Sequence, residues 1–146
     1  MSPKGNHHEV LKVALLRRWL RFAPEEIELA PETTFRLSED TYLETDVVIY
    51  PGALGLPAIK GPNVLLVVEI ADSSKRYDMG RKAKLYASFG VRELWVIDAV
   101  KLTARGFRVP SATGYGETRD FKASERLVPE FAPVEFSLAL SELKLV

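Results

Sequence analysis

The feature that most limits this chain is the run NVLLVVEIA at residues 63–71, which is apolar almost without alternation. A strand with apolar side chains on both faces belongs in the interior of a sheet covered from both sides, as in sheets with parallel neighbours. Asp72-Ser73-Ser74 follows as a helix-entry signal. Met79, Lys82, Ala83, Leu85, Tyr86 and Phe89 then mark one stripe of a helix that stops at Gly90. Residues 93–98 (ELWVID) read as a second buried strand. Strand, helix and strand in this order form a βαβ unit, with a right-handed crossover and parallel strands. The expected fold class is therefore α/β, a mixed β-sheet flanked by helices.

Between residues 7 and 22, Leu11, Leu15, Leu16, Trp19, Leu20 and Phe22 recur at helical spacing, with Arg17, Arg18 and Arg21 opposite, and Pro24 ends this amphipathic helix. Residues 27–30 and 33–37 read as short strands. Residues 45–50 (TDVVIY) form a stronger one, closed by Pro51-Gly52 and followed by a turn-rich loop, PGALGLPAIKGPN. Strand-like pieces at 103–109 and 136–140 flank a loop at 111–116. A length of 146 residues fits one domain, 1–146, able to bury its own core.

Lys+Arg and Asp+Glu both number 20, so no chain-wide attraction to nucleic acid is expected. The charge is nonetheless segregated. Residues 24–46 hold eight acids against Arg36 alone, whereas in residues 60–92 seven bases face Glu69, Asp72 and Asp78, which allows a local basic surface. The absence of cysteine excludes disulfides, a thiolate nucleophile and Cys-built zinc or iron sites, so any metal is held by oxygen or histidine. Two adjacent histidines argue against an all-histidine site. The start MSPKGNHHEV has no signal-peptide character and no stretch approaches the ~18 apolar residues of a bilayer span, so a cytoplasmic, non-membrane protein is expected. GALGLP and GYGETR lack the GK[ST] and GxGxxG patterns of nucleotide sites.

Three charged residues break the apolar pattern. Glu69 sits inside the strand expected to be most buried, where an unpaired carboxylate costs several kcal/mol or is forced neutral. Asp46 opens the VVIY strand, and Lys82 lies on the inward stripe of its helix while Arg81, Lys84 and Ser88 project outward. Each alone has a plain structural reading: a strand-end or ion-paired carboxylate, or a lysine snorkelling along the core. Together, two carboxylates from neighbouring strands and an inward lysine are what a hard divalent cation and an activated water require. In the first helix His8 and Lys12 share a stripe with Leu15 and Trp19, and Glu9 shares one with Leu16 and Leu20, so polar groups of its first turns could point to the same place.

The segment 67–98, VVEIADSSKRYDMGRKAKLYASFGVRELWVID, resembles the central block of the Uma-type family of restriction-endonuclease-like proteins, a branch of the PD-(D/E)XK nuclease superfamily. TDVVIYP resembles the family's preceding strand, and NHHEVLKVALLRRWL its opening helix; a looser match runs near Tyr115 and along LVPEFAPVEFSLALSEL. The resemblance implies a restriction-endonuclease-like fold, with Asp46 as the acid of the "PD" element and Glu69 as that of "(D/E)XK", both Mg²⁺ ligands, Mn²⁺ being the usual substitute. The superfamily's lysine stands two residues after that acid, where this chain has Ala71. The family's lysine on the following helix corresponds to Lys82, four residues after Asp78. The resemblance also implies a metal ligand in the Ile70 carbonyl, packing of Tyr86 against the site, a structural role for Asp98, and orientation of Lys82 by Asp78. Thr45 replaces the family's usual proline.

The expected function is a Mg²⁺-dependent endonuclease acting on DNA, with catalytic Asp46, Glu69 and Lys82, accessory His8, Glu9, Asp78 and Tyr86, and phosphate contacts from Arg17, Arg18, Lys75, Arg76, Arg81 and Lys84. Two alternatives stand beside it. One is a catalytically silent nuclease-fold module binding nucleic acid or protein; the other, ranked lower, is a phosphoacceptor domain using Asp46. Small nucleases often act as homodimers, and the C-terminal third carries apolar surface enough for one.

Overall fold

The computed structural model describes residues 4–72 and 76–145, without the side chains of residues 4, 5 and 76–78. Helix α1 (Lys4–Phe22) precedes strands β1 (Ile27–Arg36), β2 (Tyr42–Pro51) and β3 (Leu66–Ala71). Helix α2 (Arg76–Ser88) follows, then β4 (Glu93–Asp98), β5 (Thr103–Ser111), β6 (Gly114–Phe121) and a two-stranded ribbon, β7 (Arg126–Leu127) with β8 (Leu138–Ala139). The six-stranded sheet has the order β1-β2-β3-β4-β5-β6. Among the described residues only β3 and β4 pair in parallel, and α2 lies between them in the chain. The expected βαβ unit is thus the centre of a mixed α/β sheet.

Every residue of β3 is buried, because each face has a cover. On one face Val47, Ile49, Leu66, Val68 and Ile70 meet Leu11, Leu15 and Trp19 of α1. Trp19 packs edge-on to Phe136 at 5.4 Å and donates its Nε1–H to the Phe136 carbonyl at 3.1 Å, which ties the C-terminal segment to this layer. On the other face Val48, Val67 and Leu94 meet Ala83 and Tyr86 of α2.

Gly90 ends α2 with φ +83°, and a Cβ there would lie 3.1 Å from Pro62 Cγ. Gly61 approaches even more closely: a Cβ would stand 1.9 Å from the Phe89 carbonyl oxygen. The loop before β3 is thereby pressed against the C-terminus of α2. Gly90→Ala should cost about 1–2 kcal/mol, the usual penalty for a left-handed L-residue, read as a lower urea midpoint at unchanged slope.

Several boundaries differ from the sequence reading. The two short strands expected at 27–30 and 33–37 are one strand, β1, which continues through Glu32 at φ +48°. Residues 61–63 form a 3₁₀ turn, so the buried strand starts at Leu66 and not at residue 63. The loop expected at 111–116 is a tight hairpin: Ser111 pairs with Gly114, and β6 runs on to Phe121. β6 is an edge strand with mostly exposed side chains, so no apolar alternation announces it. At the C-terminus the strand expected at 136–140 shrinks to Leu138–Ala139 between 3₁₀ turns. Among the described residues, no helix is long and apolar enough to cross a membrane.

Candidate active site

The β2–β3 ladder fixes a register in which Val47 pairs with Val68 and Val48 with Val67. One step further sets Asp46 opposite Glu69, where directly facing residues hold their Cβ atoms about 5 Å apart. The backbone ladder stops there, and a side chain takes its place. Asp46 Oδ2 accepts the Ile70 N–H at 2.7 Å, which fixes the carboxylate in the fork between the strands. Asp46 Oδ1 lies 3.0 Å from His8 Nε2, and His8 Nδ1 lies 2.9 Å from Glu9 Oε2, so the first turns of α1 close the end of the fork.

Glu69 is 1% exposed. Both of its identified donors, the Lys82 ammonium at 2.9 Å and the Tyr86 hydroxyl at 2.6 Å, converge on Oε2. Lys82 also donates to the Glu44 carbonyl at 3.0 Å, so its amine bridges α2 to β2 as well as to β3. Burial pushes the Glu69 carboxyl up from 4.5 to about 7; Lys82 and Tyr86 pull it down only in part, and the Asp46 charge adds to the rise. Burial and the Glu69 charge likewise push the Tyr86 phenol well above its ordinary value. Asp46 and Glu69 thus feel each other's charge in a poorly solvated corner. Tyr86→Phe should cost roughly 1–3 kcal/mol, as expected when a buried acceptor loses a donor, and should raise the Glu69 carboxyl further, read by pH-dependent denaturant melts.

A second ion cluster adjoins the first. Lys12, buried at 5% exposure, sends its ammonium to Glu32 on β1 and to Glu9 at 3.3 Å. Burial works to lower the Lys12 pKa, but Glu32 and Glu9 outweigh it and the net direction is upward. Glu32 falls between the pairs Pro31↔Val47 and Thr33↔Thr45, opposite Asp46. On the other side Glu69 pairs with Val96, Val96 with Arg105, and Arg105 with Asp120. One register row therefore runs across the whole sheet through Glu32, Asp46, Glu69, Val96, Arg105 and Asp120.

The family model Uma2, described as "Putative restriction endonuclease", matches residues 1–141. The chain belongs to the Uma2 family. No curated protein matches it. Among solved structures, a putative nuclease belonging to DUF820 from Anabaena variabilis superposes with a TM-score of 0.67 at 15% identity, over 97% of this chain and 80% of that one. The type IIG restriction endonuclease BpuSI superposes with a TM-score of 0.50 at 17% identity, over 89% of this chain but only 15% of its own length. At these identities the two neighbours speak for the fold alone, a restriction-endonuclease-like one.

In this Uma2 chain Asp46, Glu69 and Lys82 come together, with Tyr86 and the Ile70 backbone in direct contact and His8 and Glu9 on the outer side of Asp46. Of the expected phosphate contacts, Arg17 and Arg18 lie away from this cluster. Arg17 and Arg18 lie nine and ten residues beyond His8 on α1, about 14 Å along the axis at 1.5 Å per residue, and Arg18 is paired with Glu142 at 3.2 Å. Arg81 and Lys84 are exposed on α2. Lys75 and the side chains of Arg76 and Asp78 lie outside the described residues. Asp98 caps a turn, accepting the N–H groups of Val100 and Lys101 at 2.9 Å.

Sequence reasoning missed Glu32 and the Glu44 carbonyl. Glu32 reads as one more acid in an acidic stretch, and its sole signal is the inward stripe position of Lys12, which requires an acidic partner somewhere. No described cluster of three or more His, Cys, Asp or Glu side chains is arranged to hold a metal, so a cation site here would rest on Asp46, Glu69 and main-chain oxygen.

Proposed function

We propose that this chain is a Mg²⁺-dependent endonuclease that hydrolyses phosphodiester bonds of DNA, with residues 1–146 acting as one nuclease domain. Asp46 and Glu69 are the metal ligands, the Ile70 carbonyl is a third, and Lys82 positions or deprotonates the attacking water. The observation that carries this reading is the convergence at one point of the sheet: Asp46 opposite Glu69 in register, with the Lys82 amine 2.9 Å from Glu69. Membership of a family whose description reads "Putative restriction endonuclease" supports the reaction class.

The donor set fits the ion. Mg²⁺ takes hard oxygen ligands, commonly one or two carboxylates, and keeps water in its remaining positions. Glu69 is a buried carboxylate whose existing donors leave its charge under-compensated, and a dication is the natural complement. The N–H and C=O of one strand residue face the same neighbouring strand, so the Ile70 carbonyl opens toward β2, where Asp46 stands. When bound, Mg²⁺ eases deprotonation of water and offsets charge on the phosphoryl oxygens.

The protein's own groups do the rest. The Ile70 N–H and His8 hold Asp46 in one orientation. Tyr86 and Lys82 both take Oε2, which turns Glu69 Oε1 away from its internal donors. Lys82 places a cation beside the reacting phosphate, where it orients water and balances charge that grows as the P–O bond to the leaving oxygen breaks. The test is cleavage of supercoiled plasmid with Mg²⁺ or Mn²⁺ against a chelator control. Nicking that depends on the ion and on Asp46 and Lys82 supports the assignment. No nicking by the wild type, or nicking indifferent to both residues, overturns it in favour of a silent binding module.

A further inference from the structure

The two edges of the sheet are defended unequally. On β1 a proline, Pro31, and a left-handed residue, Glu32 at φ +48°, break the regularity of the strand. β6, the other edge, has neither a proline nor a positive φ between Tyr115 and Phe121, and residues 116–120 are exposed without a break. Among the described residues, β5 alone pairs with it. A regular row of unpaired N–H and C=O groups is thus open to another strand.

The side chains along that row select which strand. Glu117 and Arg119 share one face of β6 with Trp95, whereas Thr118 and Asp120 share the face of α2. On the α2 face the charge is satisfied, since Asp120 lies across from Arg105 and is bound to it at 2.6 Å. On the other face it is not. Arg119 lies across from Gly106, which has no side chain to offer, and stacks over its own neighbour Phe121 at 4.8 Å. Glu117 lies across from Arg108, but that guanidinium is held by the buried Glu93 at 2.9 Å. Neither Glu117 nor Arg119 has an ion-pair partner among the described residues.

In an antiparallel pair, residues directly opposite each other point to the same face. Two copies of β6 related by a two-fold axis are therefore centred on a residue. Centring on Thr118 sets Glu117 against Arg119 of the second copy and Arg119 against its Glu117, with Asp120 beside a glycine, Gly116. Centring on Glu117, Arg119 or Asp120 sets a charge against itself, and centring on Gly116 sets Glu117 and Arg119 opposite uncharged residues. We propose that β6 is a homodimer interface: two copies pair antiparallel through their β6 edges, centred on Thr118, into one continuous sheet. The occupant is a second copy because the matching charges are this chain's own, and an unrelated strand would meet them unmatched. The interface is one strand wide, small beside those of permanent dimers, so the association is reversible. It draws on no residue of the carboxylate site and does not depend on hydrolysis.

The experiment is sedimentation equilibrium of the full chain at low ionic strength, where exposed charges are least screened, over roughly 1 µM to 1 mM protein. The wild type should distribute between monomer and dimer. Glu117→Arg and Arg119→Glu each turn two attractions into two repulsions and should raise the dissociation constant about ten-fold. The double swap E117R/R119E restores both pairs and should return it to within about three-fold of the wild type. Mixing the two single variants should likewise give heterodimer, because each then faces the opposite charge. The chain has no cysteine, so Thr118→Cys tests the register by itself. Cα atoms directly opposite in an antiparallel pair are about 5 Å apart, within disulfide reach. Mild oxidation should cross-link Thr118→Cys and leave Asp120→Cys, which is offset along the strand from its own copy, without a cross-link. A chain that stays monomeric throughout the range overturns the proposal. So does a dimer that neither charge reversal weakens, which would place the contact on another face. Nicking by a monomer would leave the hydrolytic reading standing without this interface, and a dimer that does not nick would leave the interface without the hydrolytic reading.

Discussion

Asp46→Asn and Lys82→Ala proteins that melt like the wild type are expected to lose Mg²⁺-dependent nicking by roughly 10²–10³-fold, the scale of removing one preorganised charge-stabilising group. The two losses should differ in kind. An Asn at position 46 can still accept the Ile70 N–H but has no charge to offer a cation, so Mn²⁺ affinity measured by calorimetry should fall along with the rate. Lys82 touches Glu69 and the Glu44 carbonyl, so its removal strips the amine and leaves both carboxylates in place. Ion affinity should then persist while turnover disappears. Equal cleavage by the wild type and both variants would reject the assignment of these residues.

The second large effect concerns stability and carries an unusual sign. Glu69 titrates at about 7 in the folded chain against 4.5 when free, because burial disfavours its charged form. Below pH 4.5 the carboxyl is protonated in both states and contributes no difference. Between 4.5 and 7 the unfolded chain ionises while the folded chain holds its proton, so stability falls as pH rises; above 7 the full penalty is present. Each pH step between the two titration points costs about 1.4 kcal/mol, so the penalty is on the order of 3 kcal/mol. Glu69→Gln keeps an acceptor for Tyr86 or Lys82 and removes the titration. In urea melts without metal, the variant should match the wild type near pH 4.5 and exceed it by roughly that amount at pH 8. A stability gap that does not change with pH would show that Glu69 is not held against its charge.

The centre of the architecture is legible in the chain because its signals are redundant. Residues 66–71 are apolar on both faces save for Glu69, α2 has a stripe and a glycine stop, and 93–98 repeats the buried pattern. The meeting of Asp46, Glu69 and Lys82 is legible for a related reason: each breaks a pattern that is otherwise strict, and a buried charge needs a partner. The periphery carries no comparable signal. β6 reads GYGETRDF, and its pairing with β5 is made by backbone groups that composition does not reveal. Glu32 is bound to Lys12 across 20 residues of sequence, at a left-handed backbone position that no local rule predicts. Arg17 and Arg18 can be counted as cations, but which way α1 faces is fixed by Leu11, Leu15 and Trp19 packing, and that direction sends them away from the carboxylates.

In this molecule the amine is carried by a helix and the acids by strands, whereas a motif lysine at the position of Ala71 would share a strand with Glu69. On the proposed reading, grip on the ion and speed of reaction belong to separate mechanical parts. If the proposed reading holds, a partner, a crowded loop or a substitution that slid α2 along the sheet by a fraction of a turn would stop turnover while leaving the two carboxylates, and any ion they hold, in place.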